Sequence, residues 1–208
     1  PYQMHATLCR AFFPRETRCP PRALLWRLEP ETDANGRPRV LIQSQASPDW
    51  NRLAESDWVA QTEPGIDLAE KLALDKLAVG KTFRFRLRAN PCKSTKGKRS
   101  GLVHPKAQRA WLLRKGEQHG FALPAADTPD YFDLIETSAS KAYPDVRVSQ
   151  DQMLIGRPHN GAAIRVFSVL YEGRLEVTDT DKFKATLEFG IGHGKVMGLG
   201  LLSVAPQP

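Results

Sequence analysis

Phe83-Arg84-Phe85-Arg86-Leu87-Arg88 alternates apolar and cationic residues with a strict period of two. A helix would scatter these side chains around its axis. A β-strand places Phe83, Phe85 and Leu87 on one face and three guanidinium groups on the other. The strand opens a 35-residue window, Lys81 to Lys115, that holds twelve Lys or Arg and no Asp or Glu. The chain as a whole has 30 basic and 23 acidic residues, a net charge of +7, so everything outside the window is net −5. Positive charge concentrated in this way predicts a polyanionic partner. Arginines on a sheet face favour RNA or DNA over lipid, because basic membrane binders usually present an amphipathic helix. The competing reading is a surface strand whose charges are neutralised by acids nearby in space.

At 208 residues the chain suits one large domain or two small ones, and 41% hydrophobic with 25% charged residues is enough to build packed cores. No apolar run approaches the roughly 18–20 residues needed to cross a bilayer, and no basic stretch followed by an apolar one marks a signal peptide. Cys9, Cys19 and Cys92 are odd in number and lack C-x-x-C spacing, which argues against a disulfide framework and against a structural zinc site. The expectation is a soluble, cytoplasmic protein with reduced thiols, no metal and no cofactor.

Outward from the basic strand, Asn90 to Ser100 reads as a loop carrying Lys93, Lys96, Lys98 and Arg99. Lys106 to His119 reads as a helix, with Pro105 near its start and Gly120 as its stop. Gln152–Ile155 and Ala163–Val177 read as strands around a turn-rich tip, Gly156 to Gly161. Asp179 caps a helix through Leu187, and a glycine-rich loop leads into a strand over Leu199–Val204. On the N-terminal side, Pro1 to Phe13 reads as a helix with an apolar stripe of Met4, Leu8, Ala11 and Phe12. Ala23–Leu28 and Pro38–Ile42 read as strands around the turn at Asp33–Gly36, Asp49–Trp58 as a short helix, and Thr62–Val79 as a connection ending at Gly80. A domain that opens directly into a helix, without an initiator Met, predicts missing upstream residues. With one strand restored before Pro1, each half approximates βαββαβ. The expected fold is therefore α+β, tandem ferredoxin-like (RRM-like), with domains at 1–79 and 80–208.

Gly190 to Gly200 holds five of the fifteen glycines. It is no Walker loop, since Phe189 stands at the required first glycine and Val196 follows Lys195. It reads as a flexible backbone able to approach phosphates, with His193, Gly194 and Lys195 as the candidate contacts; a plain turn is the alternative. Tyr2 and His5, three residues apart, share a helix face. Histidine is the usual acid or base near neutral pH, although spacing alone equally describes a surface histidine, as it does for His104, His119 and His159. Trp26, Trp50, Trp58 and Trp111 read as core.

Four segments together resemble the CasE family, the repeat-RNA endoribonuclease of type I-E CRISPR systems. They are Pro1-Tyr2-Gln3-Met4-His5, Phe85 to Pro91 with Gly97-Lys98-Arg99, Tyr171 to Val177, and Gly190 to Gly200 running into Leu201 to Pro206. The stretch Ala125 to Ser149 carries no match. The resemblance implies tandem ferredoxin-like domains with a first strand preceding Pro1. It implies metal-free cutting on the 3′ side of a repeat hairpin, with the RNA 2′-hydroxyl as nucleophile and His5 and Tyr2 as catalytic residues. It also implies a basic hairpin inserted into the RNA stem, represented here by Arg157 and Arg165; from the basic window, RNA contacts are expected of Arg84, Arg86, Arg88, Lys93, Lys98 and Arg99. The implied partners are the CRISPR repeat hairpin and the other Cascade subunits, including the backbone subunit next to the hairpin end, with no membrane. The rival is a non-catalytic tandem RRM-type protein, which shares fold and charge; typical RRMs, however, carry stacking aromatics on the exposed face where this strand carries arginine.

Overall fold

The structure is a computed structural model describing residues 1–14, 16–17, 19–20, 23–56, 58–126, 143–157 and 161–207. The alternating stretch is strand β3 (Thr82–Ala89), and its two faces have different fates because each meets a different neighbour. Phe83, Phe85 and Leu87 are buried under helices α3 (Pro105–His119) and α4 (Thr180–Phe189), in a core with Trp111, Leu112, Phe183 and Leu187. The Phe83 and Phe183 rings stack with centroids 5.9 Å apart.

β3 lies between β8 (Ile164–Val177) and β9 (Leu202–Pro206), antiparallel to both. The other edge of β8 pairs with β7 (Val146–Gly156) and with the two-residue β6 (Phe121–Ala122). Between β3 and α3 sits a separate hairpin, β4 (Cys92–Thr95) and β5 (Lys98–Gly101). The expected loop is thus a β-hairpin, turned by Lys96 and Gly97, both at positive φ. β7 begins earlier than its pattern predicts, because a bulge between Ser149 and Gln152 interrupts the period-two alternation.

In the N-terminal half, α1 (Tyr2–Phe12) packs on the two-stranded β1 (Leu24–Thr32) and β2 (Pro38–Ser44). Leu8, Ala11, Phe12, Leu24, Trp26 and Leu53 form this second core. Asp49–Trp58 forms a 3₁₀ turn at Trp50–Ser56, and the connection contains α2 (Leu68–Lys71), capped by the Asp67 carboxylate. Leu72 and Leu77 of that connection are buried in the larger core. Trp26 and Trp111 are core residues as expected, whereas Trp58 is half exposed. Pro158, His159 and Asn160 of the hairpin tip, and most of the unmatched Ala125–Ser149 stretch, lie outside the described residues. Among the described residues no helix is long and apolar enough to cross a membrane.

Four consecutive residues of β1, Leu24 to Arg27, are buried, which an alternating one-sided strand would not allow. Leu24 and Trp26 face the α1 core. Leu25 and Arg27 turn the other way, against the second half of the chain. The Arg27 guanidinium bonds Glu29 Oε1 (2.8 Å), the carbonyls of Arg86 (2.9 Å) and Leu201 (3.3 Å), and Ser203 Oγ (2.9 Å). Gln43 Nε2 adds a bond to the Leu187 carbonyl at 2.7 Å.

The loop between α4 and β9 is tightly packed rather than flexible. Ile191, Met197, Leu199 and Leu201 are buried, and Gly198 sits at φ +77 where a Cβ would come within 2.7 Å of the Trp26 ring. Gly198→Val combines that clash with a disallowed backbone, and should lower unfolding free energy by about 2 kcal/mol. Denaturant midpoints at unchanged slope check this; a loss below about 0.5 kcal/mol would mean the loop repacks freely.

Candidate active site

The first turn of α1 is wedged between the end of β7 and the glycine-rich loop. A Cβ on Gly156 would lie 2.6 Å from Met197 Sδ and 3.2 Å from the Tyr2 Cβ. Glycine at 156 therefore permits three segments to meet: α1 with Tyr2, the 3₁₀ turn Lys195–Met197, and the hairpin end that continues into exposed Arg157. Tyr2 and His5 are both half-buried. Burial holds the His5 imidazole below its ordinary pKa, so it is neutral at physiological pH. His5 Nε2 lies 3.6 Å from Cys9 Sγ, one helical turn on, while Nδ1 is buried without a partner among the described residues.

The other end of the glycine-rich loop is cationic. His193 is exposed, yet its pKa is depressed, first by partial burial and then by the charges of Arg99, Lys195 and Lys115. Burial first, then the charges of Lys115 and Lys195, also lower the pKa of His119, whose Nδ1 is 2.8 Å from Thr186 Oγ1. The fold thus gathers Arg99 from β5, Lys115 from α3, and His193 and Lys195 from the loop. Lys195 Nζ donates to the Gly192 carbonyl at 2.7 Å, which fixes where its charge sits. Gly194, at φ +89, packs against Leu199 and keeps the backbone in a form that L-residues rarely adopt. Lys93, Lys96, Lys98 and Arg99 are all exposed on the β4–β5 hairpin. Lys115 was not singled out in the sequence; its signal was its place at the end of the acid-free window.

The arginine face of β3 departs from expectation. Arg86 is not an unpaired surface cation. Its guanidinium meets Glu29 and Glu31 of β1 and Glu172 of β8, each at 2.7 Å, and these carboxylates push its pKa up. Arg88 is buried, near Ser168 Oγ at 3.4 Å, and donates to the Gln150 side chain presented by the β7 bulge. Only Arg84 of the three is exposed. The competing reading, neutralising acids nearby in space, therefore describes Arg86, and burial against β7 and β8 describes Arg88. Arg165 is exposed on β8 opposite Ile155, near the same hairpin end as Arg157.

The sequence contains no metal-ligand spacing, but the segment after α1 folds back on the helix, so donor atoms of His5, Cys9 and Cys19 all lie within 4.8 Å of one another.

Residues 1–206 match the family described as CRISPR associated protein. The chain is 39% identical over 208 residues to the CRISPR-associated endoribonuclease Cse3 of Thermus thermophilus, covering 99% of this chain and 90% of that protein. It is 28% identical over 221 residues to the CRISPR system Cascade subunit CasE of Escherichia coli, covering 99% and 92%. Its fold matches Thermus thermophilus Cse3 bound to an RNA representing a pre-cleavage complex, with TM-score 0.76, 40% identity, and coverage of 99% and 89%. With a mixed α+β fold that superposes on Cse3 and a match that runs almost from end to end, this chain belongs to the CRISPR-associated Cse3/CasE family.

Proposed function

We propose that this chain is an endoribonuclease that recognises the hairpin of a CRISPR repeat, cuts it on its 3′ side and remains on the product as a subunit of Cascade. Family membership supports the activity and the partners, since its relatives are a named endoribonuclease and a named Cascade subunit. The observation that carries the placement of chemistry is the wedging of Tyr2 and the His5-bearing turn between the Gly156 hairpin end and Lys195–Met197. Side chains for proton transfer there adjoin cations for phosphate.

In the proposed reaction the RNA 2′-oxygen bonds to the adjacent phosphorus as the P–O5′ bond breaks, leaving a 2′,3′-cyclic phosphate and a 5′-hydroxyl. One proton leaves O2′ and one arrives at O5′. A neutral His5 suits the accepting step, and the Tyr2 hydroxyl can bond the phosphate or the leaving oxygen. Lys195 and Arg157 are placed to offset charge on the phosphorane. None of these steps calls on a metal or cofactor. Incubating the protein with repeat hairpin RNA and excess chelator tests the reading: a single cut with a cyclic phosphate end is expected, and a strict requirement for added magnesium would overturn it.

The second half supports a ferredoxin-like reading: β3, α3, β7, β8, α4 and β9 follow the βαββαβ order, with sheet order β9-β3-β8-β7. We extend that reading to a tandem fold with domains 1–79 and 80–208. The hairpin duplex hides its base edges in a deep groove, so recognition rests on shape and phosphates. The exposed cations of the β4–β5 hairpin, the glycine-rich loop and Arg157 can contact about 4–7 phosphates. Log affinity should then fall with log salt at a slope of about −3 to −6. This is shallower than twelve unpaired cations would give, because Arg86 and Arg88 are already occupied. Affinity that does not change with salt would remove the cationic patch as the binding surface.

A further inference from the structure

We propose that His5, Cys9 and Cys19 form a binding site for one thiophilic divalent ion of the zinc class, and that the ion switches RNA cleavage off by occupying the imidazole. The inhibitory half of this proposal rests on the reading of His5 above; the site itself does not.

The geometry comes first. A tetrahedral zinc about 2.3 Å from sulfur and about 2.1 Å from nitrogen needs a sulfur and a nitrogen ligand about 3.6 Å apart. His5 Nε2 and Cys9 Sγ are separated by 3.6 Å, and the Cys19 sulfur completes a triangle whose donor atoms are all within 4.8 Å. The α-helix supplies the first pair without strain, because residues four apart stack on one face. All three side chains are half-buried, which keeps competing water out while leaving a path in. A cleft of about 370 Å³ lined by Cys9, Arg10, Phe13, Pro14 and Thr17 opens beside the site. The three cysteines are free thiols, and two thiolates with one imidazole are a donor set for zinc or similar soft ions rather than for magnesium or calcium. Three protein ligands leave a fourth position for water.

Binding balances as one ion taken up and two thiol protons released, with the imidazole entering neutral. Burial and the neighbouring Cys19 push the Cys9 thiol up to about 12. The lone pair that would accept the 2′-hydroxyl proton is the one the ion takes. Cleavage without metal and silencing by metal are therefore two uses of the same nitrogen.

The test uses the full chain, reduced, treated with chelator and exchanged into metal-free buffer. Cobalt(II) is the first probe, because a thiolate-to-cobalt charge-transfer band reports sulfur ligation directly. One equivalent should develop the band, zinc should bleach it, and Cys9→Ser or Cys19→Ser should abolish or strongly weaken it. In parallel, stoichiometric zinc should slow hairpin cleavage by roughly 10²-fold, the lower end of what a general acid or base contributes, and chelator should restore the rate. Cys19→Ser, which leaves His5 in place, should cleave normally in metal-free buffer and resist zinc. No band in the reduced wild type, or a band unchanged in Cys19→Ser, overturns the site. A normal band with undiminished cleavage keeps the site and overturns the claim that it silences His5.

Discussion

His5→Ala is expected to bind the repeat hairpin with nearly unchanged affinity and to cleave it roughly 10²–10⁴-fold more slowly, the range for loss of a general acid or base. Binding survives because the exposed cations sit elsewhere, on the β4–β5 hairpin, at Arg157 and around the loop at His193 and Lys195. Folding should survive because His5 is half-buried on α1, outside the cluster of Leu8, Ala11 and Phe12 that holds the helix to its sheet. Replacing the 2′-hydroxyl upstream of the cut by hydrogen should abolish cutting by the wild type at unchanged affinity, since the nucleophile is gone. Chelator should leave wild-type cleavage intact. Single-turnover rates beside filter-binding curves separate these outcomes. Full cleavage by His5→Ala would leave the chain a hairpin-binding protein of the non-catalytic kind.

Arg27→Ala should cost about 3–5 kcal/mol of stability, the penalty for breaking a buried ion pair from one side. Arg27 is 2% exposed, and burial holds its pKa below the ordinary value even though Glu29 raises it. Its removal deprives the buried Leu201 carbonyl of that donor and takes one bond each from the Arg86 carbonyl and Ser203 Oγ, which keep their own bond at 3.2 Å. It also takes one of the two cations from Glu29. Because these partners lie on β1, β3, β9 and the residue just before β9, the loss should be read in one cooperative unfolding transition rather than as local fraying. Denaturant titration of wild type and variant measures it directly. A cost under about 1 kcal/mol would show that the two halves are held by their apolar contacts and that the arginine is incidental.

Both of these residues stand in plain sight in the sequence, yet they were not equally readable. His5 could be singled out because its motif, with Tyr2 three residues before it, resembles a known catalytic turn. Arg27 has a sequence signal of its own. Arg27, Glu29 and Glu31 alternate on β1 with the same period of two as Arg84, Arg86 and Arg88 on β3. Two strands with complementary charge at equal spacing are candidates to face each other. Period fixes which side chains share a face but says nothing of what covers that face, so the pairing of Arg86 with Glu29, Glu31 and Glu172 is invisible in β3 alone.

The local elements are legible in the chain, because their causes are local. Alternation made β3, Pro105 and Gly120 bounded α3, Asp179 capped α4, and a cluster of glycines set the loop before β9. The chain also pointed to the family, whose model matches residues 1–206. Which cations are spent within the protein and which remain for a partner depends instead on how distant segments fold together. Charge is counted along the chain, whereas pairing depends on distances of about 3–4 Å between residues far apart in sequence. Glu29 reaches Arg86 across fifty-seven positions, and Lys195 joins Arg99 and Lys115 around His193. The approach of Cys19 to His5 and Cys9 has the same origin, a chain reversal after α1 that no spacing rule records.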